Sequence, residues 1–108
     1  MIEIDNKEEI LEILEKSKCV LLYFGAINCG VCEVLKIKIE KKISKNFSKM
    51  KQYYINSNQN FDIASYFNVF SSPTILVFFE GKEFKRYSRN MSLDIFNSEI
   101  KRLYEMVF

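Results

Sequence analysis

An uninterrupted apolar run, Cys19-Val20-Leu21-Leu22-Tyr23-Phe24, leads through a short turn into Cys29-Gly30-Val31-Cys32 and then into a segment of helical period. No other stretch of the chain restricts the fold so tightly. A continuous rather than alternating run of this length fits a strand covered on both faces, so helices have to lie above and below the sheet that holds it. The two cysteines then fall between the end of a core strand and the start of a helix. Unpaired backbone N–H groups and the helix dipole favour negative charge at that point. The thiolate, not the thiol, attacks disulfides and binds metals, which makes Cys29 the first candidate for a reactive atom.

The rest of the chain reads as alternating helices and strands. Ile2 and Ile4 alternate with charged residues as a short edge strand would. Asn6 is placed to cap a first helix, with Glu9 three residues on, and Ile10, Leu11, Ile13 and Leu14 form its apolar stripe until Ser17-Lys18. From Cys32 to about Phe47, Val34, Leu35, Ile39, Ile43 and Phe47 recur at helical spacing. Gln52–Asn56 reads as a second core strand, and Asn60 as the cap of a short helix through Phe67. Ser72-Pro73-Thr74 holds the only proline and precedes the strand Ile75–Phe79; Glu80-Gly81 turns it into a return strand, Lys82 to Ser88. Phe84 and Tyr87 do not share a face under strict alternation, which admits a bulge. Ser92 caps the last helix with Met91 and Phe96 as a staple, and Leu93, Phe96, Ile100, Leu103 and Val107 form its buried stripe. The order is β-α-β-α-β-α-β-β-α, an α/β chain. Helical crossovers demand parallel pairing among the early strands, and the hairpin demands an antiparallel pair. A mixed central sheet of four or five strands with helices on both faces is expected, in one domain over residues 1–108.

Composition excludes several classes of function. With 48% hydrophobic and 15% aromatic residues among 108, the chain is too apolar for disorder. A formal charge of +2 with 28% charged residues is a mixed surface rather than a nucleic-acid footprint. Lys36, Lys38, Lys41, Lys42 and Lys45 scatter over one helix with Glu33 and Glu40 between them. The N-terminus does not read as a signal peptide, and no stretch is long enough to span a membrane, so a cytoplasmic location is expected. Three cysteines are too few for a disulfide scaffold. No metal held within one chain is expected either, since zinc takes four ligands and the chain has three cysteines and no histidine; a zinc or cluster bridging two chains stays open. Cys19 reads as a small core hydrophobe.

The Cys29-Gly30-Val31-Cys32 pair after a core strand, with Ser72-Pro73-Thr74 and Glu80-Gly81 correctly spaced downstream, resembles the thioredoxin family over essentially the whole chain. The resemblance implies a thioredoxin fold and a role for each of several residues. Cys29 would be the exposed nucleophile that forms a mixed disulfide with a substrate, and Cys32 the resolving thiol. Pro73, in cis, would pack against the pair and offer the backbone of Ser72 to an extended substrate. Asn28, Gly30, Val31 and Arg89 would line the substrate groove. The expected activity is reduction of protein disulfides with no bound cofactor beyond the redox-active pair, by a monomeric electron carrier reset by a thioredoxin reductase.

Several positions depart from the family pattern. Asn28 stands where a tryptophan is usual, Val31 where a proline separates the cysteines, and Ile37 where a proline kinks the helix. Tyr23 and Tyr54 occupy the places of two buried charged groups that assist proton transfer, so deprotonation of Cys32 falls to water, Glu33 or a tyrosine hydroxyl. Arg89 replaces a glycine, where a cation would favour acidic partners and a Cys29 thiolate. Two other functions compete with the reductase. One is an adaptor or co-chaperone that binds partners at the Ser72-Pro73 groove with weak redox activity; the other is an oxidant or isomerase.

Overall fold

Strand β2 (Cys19–Gly25) is buried along its whole length and lies at the centre of the sheet. The computed structural model describes residues 1–108. The five strands run in the order β1 (Ile2–Glu3), β3 (Lys51–Asn56), β2, β4 (Thr74–Phe79), β5 (Lys82–Ser88). β1 and β2 pair parallel with β3, while β4 pairs antiparallel with both β2 and β5. The short N-terminal strand is thus present, at one edge.

Side-chain alternation along the central strands builds two cores. Leu21, Tyr23, Ile75 and Val77 point to one face, where they meet Leu35, Ile39 and Ile43 of α2 (Gly30–Asn46) and Phe96 and Ile100 of α4 (Leu93–Val107). Val20, Leu22, Phe24, Leu76 and Phe78 point to the other, against Ile10 and Leu14 of α1 (Lys7–Lys16) and Ile63 and Ala64 of α3 (Phe61–Tyr66). The uninterrupted apolar run is the direct consequence of this two-sided burial.

Local signals fix the element ends. The Asn6 side chain accepts from the Glu9 N–H at 2.9 Å, and Ser92 Oγ accepts from Ile95 N–H at 3.3 Å. The β4–β5 hairpin turns on two residues of positive φ, Glu80 (53°) and Gly81 (79°), the conformation that tight hairpins require. The bulge is real. Val77 pairs with Lys85 but Phe78 with Glu83, leaving Phe84 as the extra residue, so Phe84 and Tyr87 both turn toward the α4 core. Their rings meet Phe79 and Phe96 at 5.7 and 5.0 Å between centroids.

Two sequence expectations are corrected. α2 begins at Gly30, and its buried line runs through Cys32, Leu35, Ile39 and Ile43; Val34 is 56% exposed. Three- and four-residue steps from Val31 or Cys32 reach Val34 and Leu35 alike, and packing against the sheet selects Leu35. Asn60 precedes α3 but makes no side-chain cap; its Nδ2 donates instead to the Asn56 carbonyl at 3.0 Å.

Candidate functional site

The loop that carries the chain from β2 to α2 is held by the turn after β3. Ser57 N–H donates to the Gly25 carbonyl at 2.9 Å, and Ile27 N–H to Asn58 Oδ1 at 2.8 Å. Asn58 is itself set by Asn56 Oδ1, which accepts its N–H at 3.0 Å. The following residue, Asn28, has φ of 59°. Asparagine tolerates this left-handed region better than other residues with a side chain, and the tryptophan usual in the family would fit it poorly. The asparagine-rich run from Asn56 to Asn60 is legible as a turn, because such side chains bond to nearby backbone. That it anchors the cysteine loop is visible only in three dimensions.

Cys29 is the N-cap of α2, and its Sγ accepts the Cys32 N–H at 3.2 Å. The two cysteines are joined in a disulfide with their Cα atoms 5.2 Å apart. Cys29 is half-buried, whereas Cys32 is 2% exposed. The pair is therefore asymmetric: one sulfur faces the surface and the other the α2–α4 core. Cys19, the remaining thiol, is buried at the far end of β2, and burial pushes it up to about 12. It is inert beside the pair. No cluster of three His, Cys, Asp or Glu side chains is placed to hold a metal ion.

Beneath the disulfide lie the two tyrosines. Tyr23 is fully buried and its hydroxyl donates to the Cys32 carbonyl at 2.6 Å. Its ring stacks on Tyr54 at 6.1 Å, and Lys36 Nζ sits 4.8 Å from the Tyr54 centroid on α2. Burial drives the Tyr23 hydroxyl well above its ordinary range, reinforced by Tyr54 and Glu33. Tyr54 moves the same way through burial, then Glu33 and Glu3. Neither hydroxyl can accept a proton from a thiol near neutral pH. Glu33 and Lys36 line a cavity of about 630 Å³ that opens on Asn28, Cys29, Gly30 and Tyr54. This places a carboxylate on the exposed-sulfur side of the pair.

The Ser72–Pro73 peptide bond is cis, with Pro73 buried and Ser72 half-buried. Thr74 pairs with both Phe24 and Ser88, so Gly25, Pro73 and Arg89 lie side by side in that order at one end of the strands, the end from which the cysteine loop departs. Thr74 Oγ1 donates to the Ser71 carbonyl at 2.7 Å and braces that loop. Arg89 lines a second cavity, of about 340 Å³, with Gly30, Val31, Val34, Leu35 and Lys38. It lies on the Val31 side of the pair and does not line the cavity that opens on Cys29. Asn28, Cys29, Gly30, Val31, Cys32, Ser72, Pro73 and Arg89 thus gather at one end of the molecule.

Comparison with known proteins agrees with this arrangement. The thioredoxin family model matches residues 2–102. Thioredoxin of Mycoplasma genitalium is 32% identical over 100 residues, covering 89% of this chain and 97% of that protein. The thioredoxin-like protein YdfQ of Bacillus subtilis is 26% identical over 97 residues, covering 90% of this chain and 86% of that one. Among solved structures, thioredoxin of Trypanosoma brucei brucei superposes with a TM-score of 0.84 at 20% identity, covering 97% of this chain and 91% of that one, a likeness of fold. A match over nearly the whole length, on a fold that places a disulfide-bonded Cys29–Cys32 pair at a helix start, makes this chain a member of the thioredoxin family.

Proposed function

We propose that the protein reduces disulfides in other proteins through Cys29 and Cys32. The asymmetry of the pair supports this most directly: Cys29 is half-exposed at the N-terminus of α2, and Cys32 is buried behind it. In the reduced protein, the Cys29 thiolate attacks one sulfur of a substrate disulfide. A mixed disulfide forms and one substrate thiolate leaves. Cys32 then loses its proton to water or Glu33, attacks Cys29 Sγ, and releases the second substrate thiolate. The protein ends oxidised by two electrons, as the Cys29–Cys32 disulfide, and the substrate ends reduced. The Cys32 N–H directed at Cys29 Sγ and the dipole of α2 stabilise the attacking thiolate. Holding the two sulfurs on one helical turn makes resolution intramolecular.

In this reading the chain works as a monomeric cytoplasmic electron carrier without a bound cofactor, and a thioredoxin reductase returns it to the dithiol. Ser72 and Pro73 form the substrate-backbone side of the groove. Insulin reduction tests the proposal. Wild type should turn over in the presence of a dithiol reductant and Cys29→Ser should be inactive, while Cys32→Ser, reduced beforehand and mixed with insulin without reductant, should accumulate a mixed disulfide that added thiol resolves. Equal inactivity of wild type and Cys29→Ser, with a partner still bound, would favour the adaptor reading instead. A reduction potential at or above that of glutathione would favour an oxidant or isomerase.

A further inference from the structure

The cavity on the Val31 side of the disulfide has an apolar floor and a cationic rim. Val31 is 44% exposed and Val34 56%, with Leu35 beneath them, and Lys38 and Arg89 complete the lining with Gly30. No carboxylate lines it. Neither cation is committed elsewhere. The ion pairs of the chain are Met1 N-terminus–Glu40, Lys16–Glu12, Lys85–Glu99 and Arg86–Glu83. Along α2, the positions three and four residues from Lys38 are Val34, Leu35, Lys41 and Lys42, so no intrahelical carboxylate is in reach. The opposite flank differs in sign: the cavity that opens on Cys29 carries Glu3 and Glu33 beside Lys36. The reactive sulfur thus sits between a cationic, apolar flank and a mainly acidic one.

We propose that the Val31–Val34–Lys38–Arg89 cavity is a specificity subsite that selects polypeptide disulfides carrying an apolar side chain and a carboxylate close to the reacting cysteine, on one side of it only. The inference rests on the oxidoreductase reading of Cys29 and Cys32. A volume of about 340 Å³ suits one or two side chains. An extended segment advances about 3.3 Å per residue, so a group one to three residues from the cysteine reaches the rim. Charge complementarity identifies the occupant: two free cations around exposed valines match an acidic, partly apolar segment and repel a basic one.

The test uses disulfide-linked peptides differing only in whether Glu, Gln or Lys stands two residues before, or two residues after, the cysteine. On one of the two sides, wild type should reduce the Glu peptide with a kcat/KM about fivefold above that of the Lys peptide at low salt, and less so near 1 M, where screening shortens to about 3 Å. On the other side the order should vanish or reverse. In Lys38→Gln/Arg89→Gln the Glu-to-Lys ratio should approach one, and Lys38→Arg should preserve it. Equal rates for Glu and Lys peptides on both sides overturn the subsite, provided 2-hydroxyethyl disulfide, which has no charge, is reduced. If that disulfide is not reduced, the oxidoreductase reading falls. The subsite is then judged by the Kd of serine-for-cysteine Glu and Lys peptides on the oxidised protein, where equal affinity overturns it.

Discussion

Tyr23 Oη and the Cys32 carbonyl are joined by a 2.6 Å hydrogen bond, from the middle of the central strand to the first turn of α2. The bond fixes the helix start over the sheet and so fixes the buried sulfur. It also commits the one proton of a hydroxyl that burial already keeps un-ionised. A helical carbonyl accepts from the N–H four residues on, so the Tyr23 bond is a second one. Tyr23→Phe should therefore cost about 0.5–1.5 kcal/mol, the range for a single neutral bond. Urea denaturation of the oxidised forms measures it. The pH profile of insulin reduction should keep its shape, because the hydroxyl takes no proton from Cys32. Loss of a limb in that profile would show that it does.

Gly25 and Tyr54 give a second measurable relationship. A Cβ at Gly25 would stand 2.7 Å from both Cε2 and Oη of Tyr54. The ring is held by its stack on Tyr23 and by Lys36 above it, so it cannot swing away freely. Gly25→Ala should destabilise the protein by about 1–3 kcal/mol through overpacking. In a Tyr54→Leu background the offending atoms are gone, and the cost should fall by more than about 0.5 kcal/mol. Additive effects in the double-mutant cycle would show that the clash is relieved elsewhere.

What the sequence discloses and what it hides divide along physical lines. The run Cys19–Phe24 announces a central strand because burial on both faces removes the need for polar residues, and Glu80-Gly81 announces a hairpin because its backbone requirement is local. The misfit of Phe84 and Tyr87 points to the bulge because alternation is strict. Val34 is misread because helical spacing cannot choose between adjacent positions; the sheet chooses. Asn60 holds the N-cap position as its place before the helix suggests, but its side chain does not cap, because its amide bonds the Asn56 carbonyl instead. The cysteine pair is legible as a motif, but its support is not. The positive φ of Asn28, the anchoring of Ile27 by Asn58, and the Tyr54 ring over Gly25 are contacts between distant parts of the chain. A single sequence leaves no pattern for them.

Arg86 ties β5 to the end of α3. Its guanidinium grips Glu83 through two bonds, at 2.8 and 2.9 Å, and donates to the carbonyls of Phe67 and Asn68 at 2.9 and 3.0 Å. The bond from Arg86 holds the Glu83 carboxyl below its ordinary value of 4.5, against a smaller opposing effect of burial. A carboxyl with a depressed folded value adds stability that is present above the unfolded value and is lost as pH falls through the folded one. Arg86→Met should cost about 1–3 kcal/mol at pH 7 through the lost charged hydrogen bonds. The half-exposed ion pair supplies the lesser part of that. Below about pH 4 the gap between the two proteins should narrow but not close, because the carbonyl bonds survive protonation of Glu83. Denaturant midpoints at pH 7 and pH 3 check both points, and a gap that widens in acid would contradict the assignment.

The alkaline limb of stability belongs first to Cys19. Burial raises its thiol from 9.0 to about 12, so the folded protein keeps a proton that the unfolded chain releases. A group raised in this way contributes stability that is fully present below its unfolded value and is lost as pH climbs toward the folded one. With the Cys29–Cys32 disulfide intact, no other cysteine titrates. Denaturant stability of the oxidised protein should rise slightly up to about pH 8, because burial and then Lys36 lower the Met1 amine in the folded protein, and beyond about pH 8.5 it should fall with a slope approaching ~1.4 kcal/mol per pH unit. Above pH 10 the fall should steepen, as Tyr23 and Tyr87, both raised by burial, begin to ionise in the unfolded chain. Cys19→Ala should start from a lower stability, because it opens a small cavity between β2 and Phe79. It should nevertheless stay flat through pH 9–10 and decline only at the tyrosine onset. Parallel curves for Cys19→Ala and wild type between pH 8 and 10 would mean that the buried thiol is not the group that titrates.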